Sequence, residues 1–146
     1  MKRIPYTQLT LRRCETLGWL PAKAEYYQHF HAGKSASPSD PTKKIFGVRR
    51  DLFGFVDIVA LDVANRRVVF IQSTSAAQVS AHLAKMRPLA SVRAALRCGV
   101  AVECWGWQKI DGRWQPRRVA LTLAELAGVE VESLPRKVRR RERELF

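Results

Sequence analysis

Residues 51–75 read DLFGFVDIVALDVANRRVVFIQSTS. Two nearly continuous apolar segments lie within this stretch, Phe53–Leu61 and Val68–Ile71, joined by a polar turn around Asn65, Arg66 and Arg67. Both are rich in Val, Ile and Phe and too short for buried helices, so the pattern predicts two strands of a hairpin in the middle of a sheet. One acid, Asp57, falls inside the first strand, and an amide, Gln72, closes the second. A carboxylate among Phe55, Val56, Ile58 and Val59 costs free energy unless it is hydrogen-bonded, paired or bound to a metal. Asp57 is therefore the first residue that needs partners.

Working outward toward the N-terminus, residues 31–44 (HAGKSASPSDPTKK) have loop composition, and Lys34, Lys43 and Lys44 suit phosphate contacts. Before them, residues 19–30 (WLPAKAEYYQHF) alternate in a strand-like way, with Pro21 favouring a sheet edge. Leu9, Leu11, Cys14 and Leu17 have near-helical spacing, and Gly18 is placed to stop a first helix.

Toward the C-terminus, Ser75 and Gln78 have capping-box spacing. The helix expected after them carries Val79, Leu83 and Met86 on one face, is interrupted or kinked at Pro88, and continues through Leu89, Val92 and Leu96 to Gly99. Its other side presents His82, Lys85, Arg87, Arg93 and Arg97. Residues 99–107 predict a further strand, Asp111-Gly112 a tight turn, and residues 113–122 the returning strand. Leu123–Gly128 has the pattern of a short helix. A helix between two central strands implies a βαβ crossover, hence an α/β fold with a central mixed sheet flanked by helices. Residues 1–134 read as a single domain and residues 135–146 as a basic tail.

Charge is the unusual feature of the composition. In 146 residues, 26 Lys and Arg oppose 13 Asp and Glu, giving +13. That excess points to a polyanionic partner, nucleic acid before anionic membrane. Arg49, Arg50, Arg87, Arg117 and Arg118, with Arg139 and Arg140 of the tail, are the arginines best placed to follow phosphates. No apolar run is long enough for a membrane helix, and no secretory signal is expected, so a cytoplasmic protein is the simplest expectation. Cys14, Cys98 and Cys104 have neither disulfide-framework nor zinc spacing. The spacing of Trp105 and Trp107 favours a place in the core.

If the two central strands are adjacent, Asp57 and Gln72 come side by side with Thr74 beyond. An acid from the preceding strand (Glu25) or the first helix (Glu15) would complete an oxygen-lined site suited to Mg²⁺, with Asp51 a secondary candidate. The order of helix, strand, GFVDIVAL, turn, VVFIQST and helix resembles the PD-(D/E)XK nuclease core, in its Holliday junction resolvase-like, VRR-type and Mrr-like branches. The resemblance spans residues 6–107.

The resemblance implies a restriction-endonuclease-like fold and DNA cleavage with Mg²⁺ or Mn²⁺. It implies a homodimer and, from the resolvase branch, branched or junction DNA as substrate. Asp57 matches the metal-binding acid, and Gln72 matches the second half-motif, where the Mrr-like branch uses glutamine. Glu25 fits better than Glu15, which lies too close to Gly18. Thr74 stands where the family has its lysine; Lys85 is the expected replacement, about 16 Å along a helix, with Lys23 or Lys34 as alternatives. A neutral Gln72 leaves the site short of one negative charge. The alternative is a catalytically inactive nucleic-acid-binding domain of the same fold.

Overall fold

The structure is a computed structural model that describes residues 5–30 and 46–131. Lys34, Lys43, Lys44, Arg139 and Arg140, with the basic tail, lie outside the described residues. Helix α1 (Tyr6–Thr16) ends where Gly18 adopts φ +78°. There the Gly18 N–H donates to the Glu15 carbonyl and the Trp19 N–H to the Cys14 carbonyl, the paired bonds of a Schellman stop.

Strands β1 (Leu20–Lys23) and β2 (Tyr26–Phe30) follow, then β3 (Phe46–Arg50), β4 (Ile58–Asp62) and β5 (Arg67–Ser75). A 3₁₀ turn (Ala76–Gln78) leads into α2 (Val79–Met86) and α3 (Ala90–Arg97), and β6 (Ala101–Ile110) and β7 (Arg113–Leu121) close the fold. The central sheet has five strands in the order β1-β4-β5-β6-β7, while β2 and β3 pair separately. Only β5 and β6 are parallel, because the two-helix crossover returns the chain in the same direction. The described residues thus form an α/β fold with a mixed sheet and three helices. Among the described residues no helix is long and apolar enough to cross a membrane.

Helices cover both faces of the sheet. On one face Ile58, Val69, Ile71, Trp105 and Trp107 pack with Leu9 and Cys14 of α1. On the other, Val102 and Cys104 meet Val79, Leu83 and Met86 of α2 and Val92 and Ala95 of α3. The polar atoms of the first face are satisfied: Trp107 Nε1 donates to Thr10 Oγ1 at 2.8 Å, and Thr10 Oγ1 lies 2.8 Å from Ser73 Oγ. Trp105 Nε1 donates to Glu103 Oε2 at 2.6 Å. Both tryptophans are core residues, as their spacing implied.

Several sequence expectations are corrected. Residues 19–30 form two strands of different sheets, because the chain leaves β4 after Ala24. Residues 53–55 are a turn closed by a bridge between Leu52 and Val56, with Phe53 and Gly54 both at positive φ and the Phe55 N–H donating to the Leu52 carbonyl. Ser75 makes no capping bond, and α2 begins only at Val79. Pro88 separates two helices, and residues 123–128 form turns. Arg67, placed in the polar turn by its sequence, opens β5 instead, binds Asp62 at 2.8 Å and lies over the Trp19 ring.

Gly106 of β6 sets how closely the crossover approaches the sheet. A Cβ there would collide with Val79 Cγ2 and stand 2.8 Å from the Ala76 Cα. Backbone cannot yield as a flexible side chain can, so Gly106→Ala is expected to destabilise the fold by about 2–3 kcal/mol. Urea denaturation checks this: the midpoint falls while the slope stays constant.

Candidate metal centre

Asp57 lies one residue before β4, and its backbone serves two strands. Its carbonyl accepts from the Ala24 N–H at 2.8 Å after β1, and its own N–H donates to the Ile71 carbonyl of β5 at 3.0 Å. Its side chain turns toward β5 as well. Oδ2 accepts from the Ser73 N–H at 2.7 Å and from Gln72 Nε2 at 2.7 Å. The expected pairing of Asp57 with Gln72 is therefore present, with the amide nitrogen as the contact. Both donors fall on Oδ2, and Gln72 Oε1 is the amide end left unused by this contact.

Two further carboxylates converge on Asp57. Asp51 follows β3, and Glu25 lies between β1 and β2. One carboxylate oxygen from each of Glu25, Asp51 and Asp57 lies within 4.8 Å of the others. Glu25 Oε2 is 3.1 Å from Lys23 Nζ and 3.7 Å from Arg49 Nη1. Neither cation is aligned as a hydrogen-bond donor, so that buried oxygen accepts no hydrogen bond.

The cluster holds Asp57 against the usual preference of a carboxyl for its ionised form. The Asp57 carboxyl is pushed from 3.8 up to about 7, chiefly by burial. The Ser73 N–H opposes this, while the charge and close hydrogen-bonding contact of Asp51, and then the charge of Glu25, reinforce it. A cation would relieve both the repulsion and the unaligned Glu25 oxygen. An all-oxygen donor set with several carboxylates suits a hard divalent ion, Mg²⁺ or Mn²⁺, better than zinc. The residues fit the group.

Beside the cluster, a cavity of about 180 Å³ is lined by Asp51, Gln72, His82, Lys85 and Met86 among others. Lys85, the expected replacement for the motif lysine, lines the same cavity as Gln72. The 3₁₀ turn after Ser75 folds α2 back beside β5 rather than extending away from it. The His82 imidazole is held below its usual range by burial first and the Lys85 charge second, with Asp51 opposing. Thr74 is buried on the same strand as Gln72, two residues on.

The remaining predicted residues divide. Arg49 and Arg50 are exposed next to the cluster, Arg87 is half-buried just after α2, and Arg117 is exposed on β7. Arg118 is committed elsewhere: Nη2 lies 3.0 Å from Glu103 Oε2, and the guanidinium covers the Trp19 and Trp105 rings. Sequence reasoning ranked Asp51 second and placed His82 on an open helix surface. The signal for Asp51 was the Phe53-Gly54 pair, whose turn brings it back to Asp57. Comparison with models of known families, with curated proteins and with solved structures finds no match.

Between pH 3.8 and about 7, Asp57 of the metal-free protein takes up a proton on folding. Its contribution to stability is complete below 3.8 and lost as pH rises through about 7. A divalent ion competes with that proton, so Mn²⁺ should stabilise the fold more at about pH 8 than at about pH 5.5. At about 100 times its Kd the ion adds about 2.7 kcal/mol. Thermal unfolding with Mn²⁺ and with EDTA at both pH values measures this. Asp57→Asn should abolish both the metal shift and this part of the pH dependence.

Proposed function

We propose that the chain is a divalent-metal-dependent endonuclease of the PD-(D/E)XK type with a restriction-endonuclease-like core, acting on DNA. The observation that carries this reading is the convergence of Glu25, Asp51 and Asp57 beside the cavity shared by Gln72 and Lys85. The resemblance of the GFVDIVAL and VVFIQST stretches supports it, as does the +13 charge.

In this reading Glu25, Asp51 and Asp57 hold the ion, and Gln72 fixes the Asp57 carboxylate through its amide nitrogen while offering Oε1. Bound Mg²⁺ or Mn²⁺ supplies Lewis-acid stabilisation of phosphate charge and acidifies water. Lys85 brings a positive charge to the cavity that Thr74 cannot provide. The buried Thr74 hydroxyl offers a hydrogen-bonding group on the same strand. His82, disposed toward its neutral form, can accept a proton near neutral pH. Asp51 restores the negative charge that Gln72 lacks, so the substitution at the second half-motif does not empty the site of carboxylates. Branched or junction DNA is the substrate class that the resolvase resemblance implies.

Thr74, in place of the family's lysine, favours a second reading, a DNA-binding domain without catalysis. Incubation of the purified chain with duplex, branched and single-stranded DNA in Mg²⁺ or Mn²⁺ separates the two. Cleavage is expected, with Asp51→Asn and Asp57→Asn each lowering its rate more than about 100-fold and Lys85→Met about 100-fold. DNA affinity in EDTA should remain within about threefold for the Lys85 variant, since one phosphate-range cation among many is removed. DNA binding without cutting in either metal would establish the binding domain instead.

A further inference from the structure

Next to the carboxylate cluster lies a second cleft of about 480 Å³, lined by Tyr26, Arg50, Asp51, Leu52, Phe53 and Gly54. It shares Asp51 with the metal centre and contains two aromatic rings that remain half exposed or more. Tyr26 is 50% exposed and Phe53 58% exposed. Aromatic surface left in water forgoes the stabilisation that burial would bring, so the two rings call for an occupant.

The backbone under Phe53 makes the same point independently. Leu52–Phe55 is a tight turn with Phe53 at φ +55° and Gly54 at φ +81°. The first of these positions favours Asn, Asp or Gly, and a bulky residue with positive φ is strained. Phe53 is nonetheless held there. Its carbonyl accepts from Ser91 Oγ at 2.8 Å, and its ring packs against Phe70 with centroids 5.9 Å apart. The Phe70 side is an apolar groove that includes Ala94 and Val100, so Phe53 stands as the wall between that groove and the cleft.

Arg50 supplies the third element. It sits directly opposite Tyr26 in the β2–β3 register, so both side chains share a face of the hairpin. Arg50 is exposed and makes no ion pair among the described residues, unlike Arg49, which lies near Glu25. Ring faces next to a free guanidinium suit a flat aromatic ligand carrying a phosphate. In a paired duplex the base faces are covered by their neighbours, and phosphates alone would need cations but no rings. An unpaired nucleotide presents both a base face and a phosphate.

We propose that Tyr26, Phe53 and Arg50 form a subsite for an unpaired nucleotide beside the metal centre, directing the protein to single-stranded segments of DNA. The proposal rests on the nuclease reading for its place in catalysis, while the subsite itself is a binding site that can be measured without metal. Tyr26 and Phe53 hold the base by stacking, and Arg50 contacts its phosphate. A strand seated in this way enters the carboxylate cluster from the Asp51 side.

The test is affinity for a fluorescein-labelled oligo-dT and for a blunt duplex of equal length, in EDTA, by anisotropy. Phe53→Asn is the decisive variant, because Asn-Gly suits the turn and the thermal midpoint should stay level or rise. It is expected to weaken oligo-dT binding about tenfold or more while duplex affinity changes less than about twofold. Tyr26→Ala should act in the same direction, and Phe53→Trp should retain single-strand affinity. Unchanged oligo-dT affinity in Phe53→Asn overturns the subsite, and so does an equal loss for oligo-dT and duplex. Cleavage in Mn²⁺ is scored separately. Selective loss of single-strand binding in a protein that never cuts keeps the subsite and removes the nuclease reading; cutting together with unchanged oligo-dT affinity in Phe53→Asn does the reverse.

Discussion

Asp57 ties together more of this molecule than any other side chain near the site. Its backbone bonds join the end of β1 to β5, and its carboxylate takes two donors from β5, one from the main chain and one from Gln72. Those four bonds fix the depth at which the acid sits and the side from which Asp51 and Glu25 approach it. They also create the tension within the cluster. Ser73 and Gln72 favour an ionised carboxylate, while burial and two neighbouring acids favour a proton, and burial is the strongest influence. A group balanced in this way near neutral pH responds to any cation that enters.

The sheet around this residue was legible because its signals are local. Val, Ile and Phe at strand spacing, Asp111-Gly112 at a hairpin and Gly18 after an amphipathic helix each encode structure within a few residues. The parallel pairing of β5 with β6 could be inferred because two helices lie between them. What escaped was the turn at Phe53-Gly54. Its residues are apolar, so periodicity assigned it to the strand, and the true start of β4 is at Ile58. That single misreading hid the route by which Asp51 returns to Asp57. Lys85 was legible as a candidate but its path was not: a 3₁₀ turn replaces the first turn of the expected helix, and rise along an ideal helix then misjudges where the chain goes.

The basic charge of the chain also proves to serve more than one purpose. Glu103 is buried on β6, where Arg118 meets both its oxygens, Trp105 donates to one of them, and Arg67 lies 3.9 Å away. Arg67 and Arg118 both lie over Trp19, so two arginines are consumed in covering the ring that follows α1. A buried carboxylate of this kind is costly without its partners, which makes these cations structural. Arg50 and Arg117 remain exposed. Composition alone could not separate the two groups, since the distinction depends on which arginines meet the buried Glu103 and Asp62.

Neutrality at position 72 follows from the same geometry. Gln72 meets Asp57 through its amide nitrogen, a donor, on the oxygen that also receives the Ser73 N–H. A glutamate at that position would bring an acceptor against an acceptor and add charge beside Asp51, Asp57 and Glu25, raising the Asp57 carboxyl still further. The third carboxylate is instead supplied by Asp51, from a turn rather than from the sheet. A site assembled this way keeps enough negative charge for a divalent ion while using the sheet position to orient one of its acids. Glutamine, which donates where a glutamate could only accept, is therefore the side chain that this arrangement of carboxylates favours at position 72.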